Sequence, residues 1–268
     1  MAEIIKTQDG PILILTISNE SKRNAFQGNM ASEMLRHFNE AEQNPEVRSI
    51  IVTGSGDVAF SSGHDLAEIQ SGAHAESGLG EEPFMRPLTM NKPVIAAVNG
   101  HCYAASLILA LSCDIRVAST NAAFGSPGAR LGMLPEGRQI SSMIRSMFES
   151  LAVEMMFTAK PLSAEDAHRA GFVNRLVPVG NALSASLAIA ADISANSPTA
   201  VAAIKRGIRH SKCNGIVSGD QFEARIAPIL AELPDAKEGV NAFFEKRTPS
   251  FTDLNMEALT PALELSSN

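Results

Sequence analysis

Short apolar runs alternate with amphipathic stretches through the first 120 residues of the chain. The runs PILILTISN (11–19), RSIIVTG (48–54) and KPVIAAVNG (92–100) are bounded by Gly, Pro or Asn and have the length and composition of buried strands. Between the first two, residues 26–44 repeat apolar side chains at helical spacing, which places Met30, Met34, Leu35 and Phe38 on one face. Strands that alternate with helices predict an α/β fold with parallel pairing.

From about Leu162 onward the pattern becomes helical. The stretch SAEDAHRAG (163–171) begins with a serine cap and ends on glycine, and SPTAVAAIKRGIRHS (197–211) has a proline placed for a first helical turn. The stretch DAKEGVNAFFEKR (235–247) resembles a last amphipathic helix. Residues 71–90 lack periodicity, and we expect a surface loop or a loose helix there.

Composition excludes several classes of function. The 268 residues are 45% hydrophobic and 19% charged, which is ordinary for a globular protein, and the net charge of −7 argues against nucleic-acid binding by bulk electrostatics. The three cysteines are widely spaced and suggest reduced thiols. The first residues show no signal-peptide pattern, and no apolar run reaches the length of about 18 residues that a membrane span needs. We therefore expect a cytoplasmic protein that binds neither nucleic acid nor membranes.

One carboxylate stands out in the stretch FGSPGARLGMLPEGRQ (124–139), where Glu136 is the only acid. A structural role is possible, because Ile140, Met143, Ile144, Met147 and Phe148 have helical spacing and predict a helix that starts near residue 138. An acid just ahead of a helix stabilises it by about 0.3–1 kcal/mol without any catalytic role. The residues alone leave this reading and a catalytic one open.

Several stretches in one order resemble the crotonase, or enoyl-CoA hydratase/isomerase, superfamily. They are KRNAF (22–26), AFSSGHDL (59–66), KPVIAAVNGHCYAASLILALSCDIRVAS (92–119), FGSPGARLGMLPEG (124–137) and EGVNAFFEKR (238–247). The resemblance covers nearly the whole chain. It implies a spiral core of ββα repeats, assigned to residues 1–195, and a helical C-terminal region, 196–268, that trimerises, so that we expect a homotrimer or homohexamer.

The resemblance also implies an oxyanion hole for the carbonyl oxygen of an acyl-CoA thioester. By motif matching, its two donors are the backbone N–H groups of His64 and Ala105. The family usually has a run of glycines where this chain has Ala104, Ala105 and Ser106. Alanine retains its N–H, so the hole survives if φ stays negative here, and we expect any geometry open only to glycine to be lost. The imidazole of His64 is expected to be a solvated or internally satisfied side chain.

The family's two hydratase glutamates are absent, since their positions correspond to Ile108 and Gly128. Glu136 remains, and its setting LGMLPEG resembles the Δ3,Δ2-enoyl-CoA isomerases, in which this glutamate is the catalytic base. The resemblance therefore implies an isomerase that moves a 3-enoyl-CoA double bond to the 2-position, a shift for which one base is enough. A weak hydratase of fatty-acid β-oxidation and a non-catalytic acyl-CoA-binding protein stay as alternatives.

For coenzyme A itself, which enters as part of the substrate, the family places adenine contacts on backbone near Arg23 and Ala25. A phosphate contact often comes from a C-terminal lysine of a neighbouring subunit, which corresponds to Lys246. The alternative for these basic residues is an ordinary solvated surface. The sequence shows no metal site and no motif for a redox cofactor.

Overall fold

The structure, a computed structural model, describes residues 2–71 and 80–260. The described residues divide into two compact units, one within 1–90 and 94–190 and the other within 91–93 and 191–268. This division lies a few residues before the boundary expected from the sequence.

Two sheets organise the first unit. The larger has the strand order β1-β2-β3-β5-β7-β10, and the smaller has the order β4-β6-β8-β9. Among the described strands the pairs β1–β2 and β8–β9 are antiparallel, and the other pairs are parallel. The strands are β1 Glu3–Asp9, β2 Ile12–Ser18, β3 Ser49–Gly54, β4 Ala59–Ser61, β5 Val94–Val98, β6 His101–Tyr103, β7 Ile115–Ser119, β8 Ala123–Gly125, β9 Leu162–Ser163 and β10 Arg175–Val177.

The helices complete repeated ββα turns. In three successive turns, the chain adds one strand to the larger sheet, then one to the smaller sheet, and then enters helical segments. The predicted α/β fold with parallel pairing is confirmed. The helices of this unit are α1 Met30–Gln43, α2 Leu66–Ser71, α3 Glu82–Met85, α4 Ala105–Ser112, α5 Gln139–Ser146, α6 Glu149–Thr158, α7 Ala164–Arg169 and α8 Ala182–Ser194, which runs to the start of the second unit.

The second unit is built on three long helices, α9 Pro198–Asn214, α10 Ile216–Glu232 and α11 Pro234–Glu245. Pro198 is the first residue of α9, as predicted, and the hydroxyl of Ser197 accepts a hydrogen bond from the N–H of Ala200. Phe243 and Phe244 are largely exposed on α11. No single helix among the described residues is long and apolar enough to cross a membrane.

Local predictions hold best where the apolar pattern is regular. Met30, Met34 and Phe38 are fully buried on α1, while Leu35 is half-buried. Ser163 caps α7 by accepting a hydrogen bond from the N–H of Asp166.

Two other predictions need correction or fall partly outside the structure. Helix α5 starts at Gln139, as predicted, but the residue after it, Met147, is extended, so the predicted apolar face is cut short and Phe148 is exposed. Within the predicted loose segment, the described part contains α3 and a 3₁₀ turn, Arg86–Leu88, whereas residues 72–79 lie outside the described residues.

Candidate functional site

A cavity of about 840 Å³ lies in the first unit, in the size range of ligand sites. Three neighbouring parallel strands of the smaller sheet, β4, β6 and β8, each lead at their carboxyl end into its wall. The wall also includes the turn after β2 and the segment that leads into α5. Its described residues are Lys22, Ala25, Ser62, His64, Asp65, Leu66, Ile69, Glu81, Tyr103, Ala104, Ala105, Ile108, Ser126, Pro127, Gly128, Leu131, Met133, Leu134, Pro135, Glu136 and Gln139.

The first predicted donor, His64, follows β4 on a backbone that is held from both sides. Phe26 donates its N–H to the carbonyl of Gly63 at 2.8 Å and accepts from the N–H of Asp65 at 3.0 Å. Gly63 has φ +90°, and a Cβ there would lie 2.9 Å from the Cβ of Ala104 and 3.0 Å from the nitrogen of Ala105. The two predicted donor segments therefore approach each other so closely that only glycine fits at position 63.

The second predicted donor, Ala105, is the first residue of α4, whose eight residues are all buried. Its N–H is one of those that a helix leaves without an intrahelical acceptor. The preceding residue, Ala104, has φ 53° and ψ −121°, a conformation that glycine favours. The expectation that a glycine-only geometry would be lost is wrong, because this chain keeps that geometry with an alanine in it, at the cost of backbone strain.

Ser106, where the family usually has glycine, ties the two donor segments together. Its fully buried hydroxyl lies 2.6 Å from the carbonyl oxygen of Ser61 and 2.8 Å from that of Tyr103. The hydroxyl of Ser61 in turn accepts the N–H of Gly63 at 3.1 Å. The end of β4 and the start of α4 are thus connected by side-chain hydrogen bonds as well as by strand pairing.

The positions of the two missing glutamates are filled by packing. The side chain of Ile108 packs so closely on Gly137 that a Cβ at Gly137 would lie 2.5 Å from it. A Cβ at Gly128 would lie 2.8 Å from the carbonyl oxygen of Met133 and 3.2 Å from the ring of Pro135. The segment that carries Glu136 therefore lies against both positions.

Glu136 lines the cavity but is not part of the first turn of α5. The helix begins three residues later, and its cap residue, Arg138, has a left-handed backbone with φ 64°. The carbonyl of Glu136 accepts the N–H of Gln139 at 3.1 Å, while its side chain is exposed at the cavity wall. This placement brings the predicted base into the same cavity as the His64 and Ala105 segments.

Glu81 is a cavity residue that the sequence did not indicate. Its Oε1 lies 3.5 Å from Nε2 of His64, and the two side chains are 16% and 12% exposed. The imidazole that was expected to be solvated or satisfied is therefore mostly buried beside a carboxylate. Glu81 precedes a helix of only four residues in a stretch without periodicity, so no pattern signals its position.

The predicted coenzyme A contacts are only partly brought together. Ala25 lines the cavity, whereas Arg23 is exposed on the same turn and lies outside the lining. Burial raises the pKa of the Tyr103 phenol, and the nearby charge of Arg23 lowers it by less. Lys246 belongs to the second unit, where it is exposed at the end of α11.

One ion pair lies at the cavity wall. Nζ of Lys22 is 2.6 Å from Oδ2 of Asp65, and Ala67 donates its N–H to Oδ1 of the same carboxylate at 3.0 Å. The hydrogen bond from Lys22, followed by that from Ala67, lowers the pKa of Asp65. Asp65 is therefore an ionised structural partner of Lys22.

Comparison with known proteins identifies the family of this chain. The family described as "Enoyl-CoA hydratase/isomerase" matches residues 7–255. A 2,3-dehydroadipyl-CoA hydratase of Escherichia coli is 32% identical over 94% of this chain and 99% of its own length. A short-chain-enoyl-CoA hydratase of Clostridium acetobutylicum is 33% identical over 91% and 95%.

A solved structure of an enoyl-CoA hydratase from Polaromonas sp. JS666 is 34% identical, covers 93% of this chain and 100% of its own, and superposes with a TM-score of 0.87. The crotonase fold implied by the sequence motifs is confirmed by this likeness. Because the family match spans almost the whole chain, the protein belongs to the enoyl-CoA hydratase/isomerase family of acyl-CoA enzymes.

Proposed function

We propose that this protein is an enoyl-CoA isomerase that converts a 3-enoyl-CoA into a 2-enoyl-CoA with Glu136 as the proton shuttle. The observation that supports this most strongly is the content of the cavity. Glu136 lines it together with His64 and Ala105, whereas the positions of the two hydratase glutamates hold Ile108 and Gly128, which cannot transfer a proton.

In this proposal the thioester oxygen accepts hydrogen bonds from the backbone N–H groups of His64 and Ala105. Glu136 takes a proton from C2, and the electron pair of that C–H bond moves into the carbonyl, giving a dienolate whose oxygen the two donors stabilise. Glu136 then returns the proton to C4, and the electrons settle as a C2=C3 double bond. Nothing is gained or lost from solvent, and each donor contributes on the order of 100-fold in rate.

Coenzyme A contacts are proposed at the turn that holds Arg23 and Ala25, through backbone atoms. A further contact from Lys246 of a neighbouring subunit would require a trimer or a dimer of trimers. The ammonium group of Lys246 is exposed and so accessible for such a contact.

Hydration of a 2-enoyl-CoA is the second candidate function. The similar proteins of Escherichia coli and Clostridium acetobutylicum are named hydratases, and Glu81 adds to the cavity of this chain a carboxylate other than Glu136 and the Lys22-paired Asp65. Hydration needs groups that hold a water molecule at C3. The family positions for that task are filled by Ile108 and Gly128, which is why isomerisation is preferred.

The test measures both reactions on one enzyme preparation. With 3-hexenoyl-CoA we expect conjugation to the 2-enoyl product, and with crotonyl-CoA we expect negligible hydration. Glu136→Gln keeps the size of the side chain but cannot accept a proton, so kcat should fall by about 100-fold or more. Glu149→Gln, which replaces an exposed acid at the start of α6, is the matched control and should leave kcat unchanged.

Two results would contradict the proposal. Full isomerase activity in Glu136→Gln would return Glu136 to a structural role at the start of α5. Robust hydration of crotonyl-CoA without isomerisation would favour the second candidate, and binding of acyl-CoA without either reaction would indicate a non-catalytic acyl-CoA-binding protein.

A further inference from the structure

Glu81 and His64 form a polar pair in the cavity wall. The imidazole ring of His64 meets the ring of Phe84 edge to face at a centroid distance of 5.0 Å, and Phe84 is fully buried. Phe84 also contacts Phe26 edge to face at 4.8 Å. The imidazole packs against this aromatic pair with its Nε2 3.5 Å from Oε1 of Glu81, and neither Nε2 nor Oε2 has a hydrogen-bond partner among the described residues.

The other oxygen of this carboxylate, Oε2, has no hydrogen-bond partner among the described residues, although it is buried. A carboxyl oxygen without a proton accepts hydrogen bonds, so the partner expected for Oε2 is a donor. A buried acceptor left without a donor is energetically costly. The described wall contains apolar side chains such as Leu66, Ile69 and Ile108, and its neutral donors, which are Ser62, Tyr103, Ser126 and Gln139, make no hydrogen bond to Oε2.

The cations of the wall do not fill this role. Among the described lining residues the basic side chains are Lys22 and His64. The ammonium group of Lys22 lies 2.6 Å from Asp65, and the imidazole of His64 faces Oε1. Among the described residues no lining side chain is hydrogen-bonded to Oε2, and a molecule bound in the cavity is the candidate source of its donor.

We propose that Glu81, supported by His64, is a binding subsite for a hydroxyl-type donor next to the acyl thioester. The inference rests on the proposed function, because the backbone N–H of His64 is there assigned to the thioester oxygen, which places its ring near the first carbons of the acyl chain. The donor is either the hydroxyl group of a hydroxylated acyl-CoA or a water molecule held beside the chain. Glu81 is thus a specificity residue for the acyl group.

The experiment compares two ligands that differ by one hydroxyl group, butyryl-CoA and 3-hydroxybutyryl-CoA, by isothermal titration calorimetry. The unmodified protein should bind the hydroxylated ligand about tenfold or more tightly, the usual effect of a hydrogen bond to a charged group. Glu81→Leu should abolish the preference and keep butyryl-CoA binding. Glu81→Gln, which is closer in shape and retains an acceptor oxygen, should keep part of it.

Glu82→Gln is the matched control, because Glu82 is the adjacent acid and its side chain is exposed. The preference should survive in this variant. The measurement thus needs no turnover and separates the subsite from the isomerase reaction.

A crystal structure of the butyryl-CoA complex distinguishes the two donors. Equal affinity for both ligands together with a water molecule bound to Oε2 would identify water as the donor. Equal affinity with Oε2 bonded to a protein group, or a preference unchanged in Glu81→Leu, would overturn the subsite. Preference without isomerisation would remove only the proposed reaction, and no acyl-CoA binding at all would remove both.

Discussion

The alanine at position 104 offers a sharp test of how the second donor segment is built. Its φ of 53° and ψ of −121° lie in a region that costs a non-glycine residue about 1–3 kcal/mol. Ala104→Gly removes this strain. Against it stand the larger conformational entropy that glycine loses on folding, roughly 0.5–1 kcal/mol, and the loss of one half-buried methyl group, at most about 0.8 kcal/mol. The net expectation is a stabilisation of about 1 kcal/mol.

The neighbouring position supplies the control. Ala105 begins α4, so Ala105→Gly gains nothing from strain relief and should lose up to about 1 kcal/mol through the lower helix propensity of glycine. The same substitution at two adjacent residues should therefore change the free energy of unfolding in opposite directions. This contrast does not depend on the absolute stability of the protein.

Urea and thermal unfolding at one fixed protein concentration measure both variants. We expect the midpoint of Ala104→Gly to rise by about 2–4 °C, the shift that about 1 kcal/mol produces in a chain of this size, and that of Ala105→Gly to fall. A fall of similar size in both variants would refute the strained conformation at Ala104. It would also mean that residue 104 does not have the backbone conformation that glycine favours.

Three other predictions follow from the structure. Gly128→Glu should lower the free energy of unfolding by about 2 kcal/mol or more, because its Cβ would lie 2.8 Å from a backbone oxygen. The control is Ala129→Glu at the exposed neighbouring residue, which should change the free energy of unfolding little in the same thermal assay. Light scattering at micromolar concentration should report a trimer or hexamer. Phe243→Ser should weaken this assembly, because the Phe243 side chain is 79% exposed in the single chain. A monomer would contradict the prediction. Asp65→Asn should lower the free energy of unfolding at pH 7. Because Lys22 lowers the pKa of Asp65, this loss should shrink as the pH falls below 3.8 and the carboxylate of the unmodified protein becomes protonated. A loss that does not change with pH in urea titrations would contradict this.

The sequence predicted the elements whose pattern is local. The strand predicted within 92–100 and the buried face predicted for α1 are confirmed, because burial imposes one period along each element. The sequence also indicated two segments that line the cavity, since His64 and Ala105 both reach it. Strand β1 was missed because six of its seven residues are exposed and leave no apolar signal.

Features that depend on contact between distant segments were beyond the sequence. Alanine propensity argues against the conformation found at Ala104, which tertiary packing imposes. Position 128 has no room for a side chain because residues 133–135 fold back against it. Glu81 meets His64 only through the tertiary fold, and neither residue has a neighbour in sequence that reveals the contact.

The two predicted donor segments and the predicted base are mounted on different kinds of structure. His64 and Ala105 follow adjacent parallel strands, β4 and β6, so their separation is governed by the spacing between strands, about 4.8 Å. Glu136 sits on an irregular segment that can change length or sequence without altering that spacing. The sheet therefore sets the spacing of the two predicted donor segments, whereas the segment that carries Glu136 lies outside the sheet. Substitutions at the exposed residues 129–134 should therefore change what faces the acyl chain, while the sheet keeps the spacing of the two predicted donor segments.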